Sequence, residues 1–188
     1  MSQPSPTDTD TAEADDADTI SPGEAVGRAA RMLHPETGSL PTGEQATIRR
    51  VSPEAPVTPA LWKMLTHLGQ HEAPDWISPA RWERRWGTLL MGLAHCPGLH
   101  DYDTPLGEGL ATADWSETRF VRLMEAGGET LPDLIRRMAQ YLASKQQHAN
   151  WDDVRRLLFY QSGETAEDIR LSIARSYYRT LYAEEDDS

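Results

Sequence analysis

Apolar residues in this chain recur at steps of three and four, and proline or glycine closes each run. That spacing puts them on one face of an α-helix, and no stretch alternates with period two for long enough to make a strand. Val26, Ala29 and Leu33 mark a first helix, ended by Pro35 and Gly38, and Gly43–Val51 a second, stopped by Pro53 and Pro56. Thr58-Pro59 and Ser78-Pro79 are N-cap residues followed by proline in the first turn. They open helices carrying Leu61, Met64, Leu65 and Leu68, then Trp82, Trp86, Leu89 and Leu93. His95 to Pro105 reads as a loop. Ser116, Thr130 with Asp133, Asn150, and Thr165 with Asp168 announce four more helices, the Thr130 and Asp133 pair resembling a capping box. The expected fold is all-α: a compact helical bundle, as two packed subdomains over 22–96 and 97–183.

Residues 1–24 hold seven acids and no base, and Glu184, Glu185, Asp186 and Asp187 lie near the other end. Segments so poor in apolar residues cannot offset the entropy of ordering. Residues 1–21 and 184–188 are therefore expected to be disordered acidic tails. They account for most of the formal net charge of -12, and the body between is close to neutral. No apolar run approaches a membrane span, nothing resembles a secretory signal, and a single cysteine, Cys96, excludes an internal disulfide. A cytoplasmic location is expected.

Sixteen arginines stand against two lysines. Arginine grips phosphate or carboxylate with a planar fork. Asp133 precedes Arg136 and Arg137 by three and four residues, and Asp152 and Asp153 precede Arg155 and Arg156. At that spacing each pair gains about 0.2–0.5 kcal/mol. Arg49 and Arg50, Arg84 and Arg85, and Arg119 with Arg122 have no carboxylate three or four residues before them. They need a partner from elsewhere, either a carboxylate on another helix or a phosphate.

Catalytic chemistry has weaker footing. His67 and His71 stand four apart, but Gly69 between them suggests that the helix is ending. The glutamate that follows the first histidine in zinc proteases is here Leu68. His95, Cys96, His100, Asp101 and Asp103 cluster without regular ligand spacing, and Gly107-Glu108-Gly109 lacks the remainder of a phosphate loop. A metal-dependent hydrolase is thus the weakest reading, and neither metal nor cofactor is expected. Trp82, Trp86 and Trp115 could offer stacking rings, but their spacing favours the core.

Two segments bear a resemblance. Gly43 to Pro53 (GEQATIRRVSP), with the helix from Leu61 to Gly69, resembles the N-terminal signature of the CasB family, the small subunit of the type I-E CRISPR Cascade complex. Leu106-Gly107, Leu110-Ala111, Arg119-Phe120, Leu123, Leu134 to Arg137, Trp151, Leu157-Leu158 and the Ala174 to Tyr178 stretch are similar to its C-terminal half, in order. The resemblance covers about residues 24–182. It implies an all-helical, non-catalytic subunit, present as two copies beside the backbone and large subunits. Such a subunit helps to hold the crRNA–target DNA heteroduplex and the displaced strand. The family's basic signature falls on Arg49, Arg50, Arg119, Arg136 and Arg137; Arg122, Arg84 and Arg85 are added by spacing. The competing reading is a helical adaptor that meets only acidic proteins.

Overall fold

Three helices begin where a side chain caps the first turn. The computed structural model describes residues 20–52 and 58–186, with side chains to residue 183. Ser21 accepts from the Glu24 amide while Glu24 reaches back to the Ser21 amide, a capping box that opens α1 (Pro22–Met32). Thr58 accepts from the Leu61 amide to open α3 (Pro59–His67), and Asn150 accepts from the Asp152 amide to open α8 (Trp151–Phe159). The other elements are α2 (Thr42–Arg49), α4 (Pro79–His95), α5 (Leu106–Thr112), α6 (Glu117–Glu125), α7 (Leu131–Lys145) and α9 (Glu164–Asp186). Among the described residues the only β-type pairing outside helices is an isolated bridge, His100 to Ala149, besides a single bridge residue at Ser52. The all-α expectation therefore holds.

Several starts differ in detail. The Thr130 hydroxyl donates to the Gly127 carbonyl instead of capping α7, so the capping box read there does not form. Ser78 and Ser116 stand at their N-cap positions without a side-chain cap bond. Of the acidic N-terminal segment, residues 1–19 lie outside the described residues, while Ile20 packs on the core. At the other end α9 continues to Asp186, into the segment read as a tail.

One apolar core joins both halves of the chain. The long helix α4 is buried along most of its length and packs against α2, α7 and α8. Trp82, Trp86, Trp115 and Trp151 are all buried, so the tryptophans singled out by spacing are core residues. Phe159 meets Trp82 and Trp86 edge-on at 5.0 and 5.7 Å. Aromatic residues bury about 150–250 Å² each, so this cluster is a large share of the apolar burial.

The helix α5 has no counterpart in the periodicity reading, because two glycines and a seven-residue length leave little pattern. Tertiary packing explains it. A β-carbon at Gly107 would overlap the Ile173 carbonyl and Ser176 Oγ and come within 2.6 Å of Tyr177 N. The glycine lets the α5 backbone rest directly on α9. Tyr177 then stacks on Phe120 at 3.9 Å and donates to the Trp115 carbonyl at 2.6 Å.

Candidate nucleic-acid interface

The arginines do two kinds of work, and the first is to bind main-chain carbonyls across elements. Every helix leaves carbonyls in its last turn without an intrahelical donor. Arg49 Nε donates to the Ala94 carbonyl at the end of α4, and Arg85 Nη1 to the Phe159 carbonyl at the end of α8. Arg170 Nε donates to the Met124 carbonyl at the end of α6. Arg136 Nη2 donates to the Val51 carbonyl just beyond α2. These bonds bridge 45, 74, 46 and 85 residues of sequence.

The second kind depends on what the same groups leave free. Arg49 and Arg136 converge at the C-terminal end of α4, where His95 lies within the field of both. Burial, then the Arg49 and Arg136 charges, push the His95 imidazole below its usual pKa. Arg50 and Arg137 are exposed next to them in sequence. Along α7, Arg137, Tyr141 and Lys145 follow at four-residue steps and share a face. The Arg119 guanidinium lies 5.4 Å from the Trp115 ring centroid and 5.9 Å from that of Tyr141; Lys145 is 5.7 Å from Tyr141. A cationic strip therefore runs from the α2–α4 junction along α7 to the start of α6. Arg122 is exposed one turn beyond Arg119.

Among the described residues, ion pairs join Lys63 to Glu44, Lys145 to Asp114, Arg155 to Asp152 and Arg156 to Asp153. The local pairing expected for Arg155 and Arg156 thus forms, at 2.6 and 4.0 Å. None of these pairs involves Arg49, Arg50, Arg84, Arg85, Arg119, Arg122, Arg136 or Arg137. Asp133 makes no ion pair with Arg136 or Arg137, contrary to the helical-spacing argument, because Arg136 turns toward Val51 instead. Arg84 and Arg85 are not part of the strip. They occupy the first turns of α4, about 14 Å along its axis from Ala94 at 1.5 Å per residue.

The histidines do not assemble a metal centre. Gln70 N bonds to the Leu65 carbonyl and Gly69 N to the Thr66 carbonyl, closing α3 in a Schellman motif with Gly69 at φ +65°. His71 consequently lies beyond the helix that bears His67. Among the described residues no group of three or more His, Cys, Asp or Glu is placed to hold a metal. Cys96 is buried, its thiol donates to the Gly92 carbonyl, and burial raises its pKa far above the ordinary range. His95 joins the arginines through tertiary packing, whereas Lys145 follows Arg137 and Tyr141 at four-residue steps on α7, a regularity the reading of the arginine pairs did not use.

Residues 44–178 match the family model for CRISPR-associated protein Cse2. The chain belongs to the Cse2 family. The resemblance read from the two signature segments is therefore sound. Two solved structures share its fold. The M. ruber CasB crystal structure has 22% identity and a TM-score of 0.62, covering 90% of this chain and 99% of that one. A chain in the crystal structure of E. coli Cascade, bound to a PAM-containing double-stranded DNA target, has 19% identity and a TM-score of 0.62. It covers 85% of this chain and 95% of its own. None of the curated proteins compared matches the chain. Among the described residues, no helix of this Cse2-family chain is long and apolar enough to cross a membrane.

Proposed function

We propose that this chain is the small, non-catalytic subunit of a type I-E Cascade effector complex, and that its cationic strip holds nucleic-acid backbone. Its partners are then the crRNA–target DNA heteroduplex and the displaced strand, the backbone and large subunits, and a second copy of itself in a cytoplasmic ribonucleoprotein. The observation that carries the reading is the strip itself: six arginines without a carboxylate partner among the described residues, two of them fixed on main-chain carbonyls. Guanidinium groups held in place lose little freedom when they meet phosphate, and charge-assisted forks suit that ligand. In guide-directed complexes base pairing reads the sequence, so backbone grip is what remains for the protein to supply. Among the described residues, the buried Cys96 and the dispersed histidines offer no nucleophile or metal centre for hydrolysis.

The test is salt-dependent filter binding to single-stranded and duplex DNA. Arg50→Gln with Arg137→Gln removes two exposed charges that make no protein hydrogen bond among the described residues, so folding should be preserved. The slope of log K against log salt should fall by about one for each phosphate that the variant no longer neutralises. An unchanged slope and affinity would make the chain a protein adaptor instead.

A further inference from the structure

The turn between α3 and α4 brings an indole to the surface. Ile77 N bonds to the Pro74 carbonyl at 3.1 Å, and Ile77 is buried, so the turn is anchored while Trp76 stays 57% exposed. Tyr160, just after α8, lies against Trp76 with ring centroids 5.8 Å apart and planes 12° from parallel, and is itself 37% exposed. Trp82 meets Trp76 edge-on at 6.3 Å and is fixed in turn by its indole N–H bond to the Gln70 carbonyl at 2.7 Å. The exposed pair therefore rests on the rigid aromatic core of Trp82, Trp86 and Phe159.

Positive charge lies beside it. Arg85 is held on the Phe159 carbonyl, one residue from Tyr160, and Arg81 lies one turn before it, close enough that their like charges repel. Arg81 and Arg84 are exposed on the same helix. No ion pair among the described residues neutralises any of the three. An apolar protein partner would gain nothing from the guanidinium charges of Arg81 and Arg85 beside two rings. A base flanked by phosphates uses both features, and base-on-aromatic stacking beside arginines is how unpaired strands are held.

We propose that Trp76 and Tyr160 form a stacking platform for an unpaired nucleobase, with Arg81 and Arg84 on the flanking phosphates and Arg85 bracing Tyr160. This rests on the nucleic-acid reading above but concerns the opposite end of α4 from the strip. The test uses the full chain and a fluorescein-labelled oligothymidine at several salt concentrations. Trp76→Ala and Tyr160→Ala should each weaken binding by roughly tenfold, within the range measured for such stacks, without changing the salt slope. Trp76→Phe should restore most of the affinity, and Arg81→Gln with Arg84→Gln should lower the slope. On an oligomer of abasic sites the aromatic variants should bind like the parent protein, since nothing remains to stack. Thermal melts check that each variant folds.

Parent-like affinity in both alanine variants, with the Arg50 and Arg137 variant still lowering the slope, overturns the platform and leaves the strip standing. Loss of entry into the assembled complex with oligothymidine affinity intact would also overturn it, by making the rings a protein dock. No binding by the parent chain overturns both.

Discussion

Replacing Gly107 by alanine tests whether α5 is held in place by backbone contact with α9. The added carbon would have to regain ordinary contact distance from Ile173 O, Ser176 Oγ and Tyr177 N together, so α9 must retreat by about an ångström. Two of those three atoms are main chain, and no rotamer change relieves them. Overpacking costs about 1–3 kcal/mol, and this geometry belongs at the upper end. Alanine returns about 1 kcal/mol of helix preference over glycine, leaving a net loss of about 2 kcal/mol. In a chain of this size that lowers Tm by about 4–8 °C. Gly43 provides the matched control: it lies in α2, and a β-carbon there meets nothing within 4 Å. Gly43→Ala should raise stability by about 0.5–1 kcal/mol. Urea unfolding followed by circular dichroism reads both. If the two variants shift stability in the same direction, direct α5–α9 backbone packing is wrong.

Other predictions concern single groups. Tyr177→Phe strands the Trp115 carbonyl in the core and should cost about 1–3 kcal/mol in the same urea assay; a loss within error would mean that water replaces the bond. The native His95 pKa is depressed, so the unfolded chain binds the proton more readily and the stability tied to neutral His95 is lost as pH falls below about 6.5. A phosphate between Arg49 and Arg136 reverses the bias, so binding should tighten from pH 8 to pH 6 with proton uptake. Calorimetry in two buffers of different ionisation heat measures that uptake, and His95→Gln should abolish it. Cys96 should resist thiol reagents at pH 8 in the native state and react only as the chain unfolds, so labelling rates should follow global opening in urea. Rapid labelling in the absence of urea would place Cys96 outside the core.

Local signals carried most of the architecture. Thr58 and Asn150 cap as their neighbours suggest, Gly69 ends α3, and the tryptophans at helical spacing are interior. The failures share one cause, which is that partners outside the helix outcompete those at helical spacing within it. Thr130 finds the Gly127 carbonyl, Arg136 passes over Asp133 for Val51, and α5 is helical because α9 accommodates its glycines. The candidate interface was legible as a set of uncompensated arginines and not as a shape. Nothing in the spacing of Trp76 and Tyr160, which are 84 positions apart, indicates that they touch.

The carbonyl bonds made by arginine give its dominance over lysine a geometric reading. A guanidinium has five N–H groups arranged in a plane, whereas an ammonium is a single point. Arg49 and Arg136 each spend one N–H on the carbonyl that fixes them; the Arg136 Nε is buried, and the remaining Nη groups are kept for a ligand, so each side chain acts as clasp and hand at once. A lysine in either place would retain the charge, but its three N–H donors radiate from one nitrogen and cannot span a carbonyl and a ligand on separate edges of a fork. Charge-conserving exchange at these positions is therefore a sharper probe than charge removal. It leaves the electrostatic attraction intact and takes away only the ability to hold the scaffold and the cargo with one side chain.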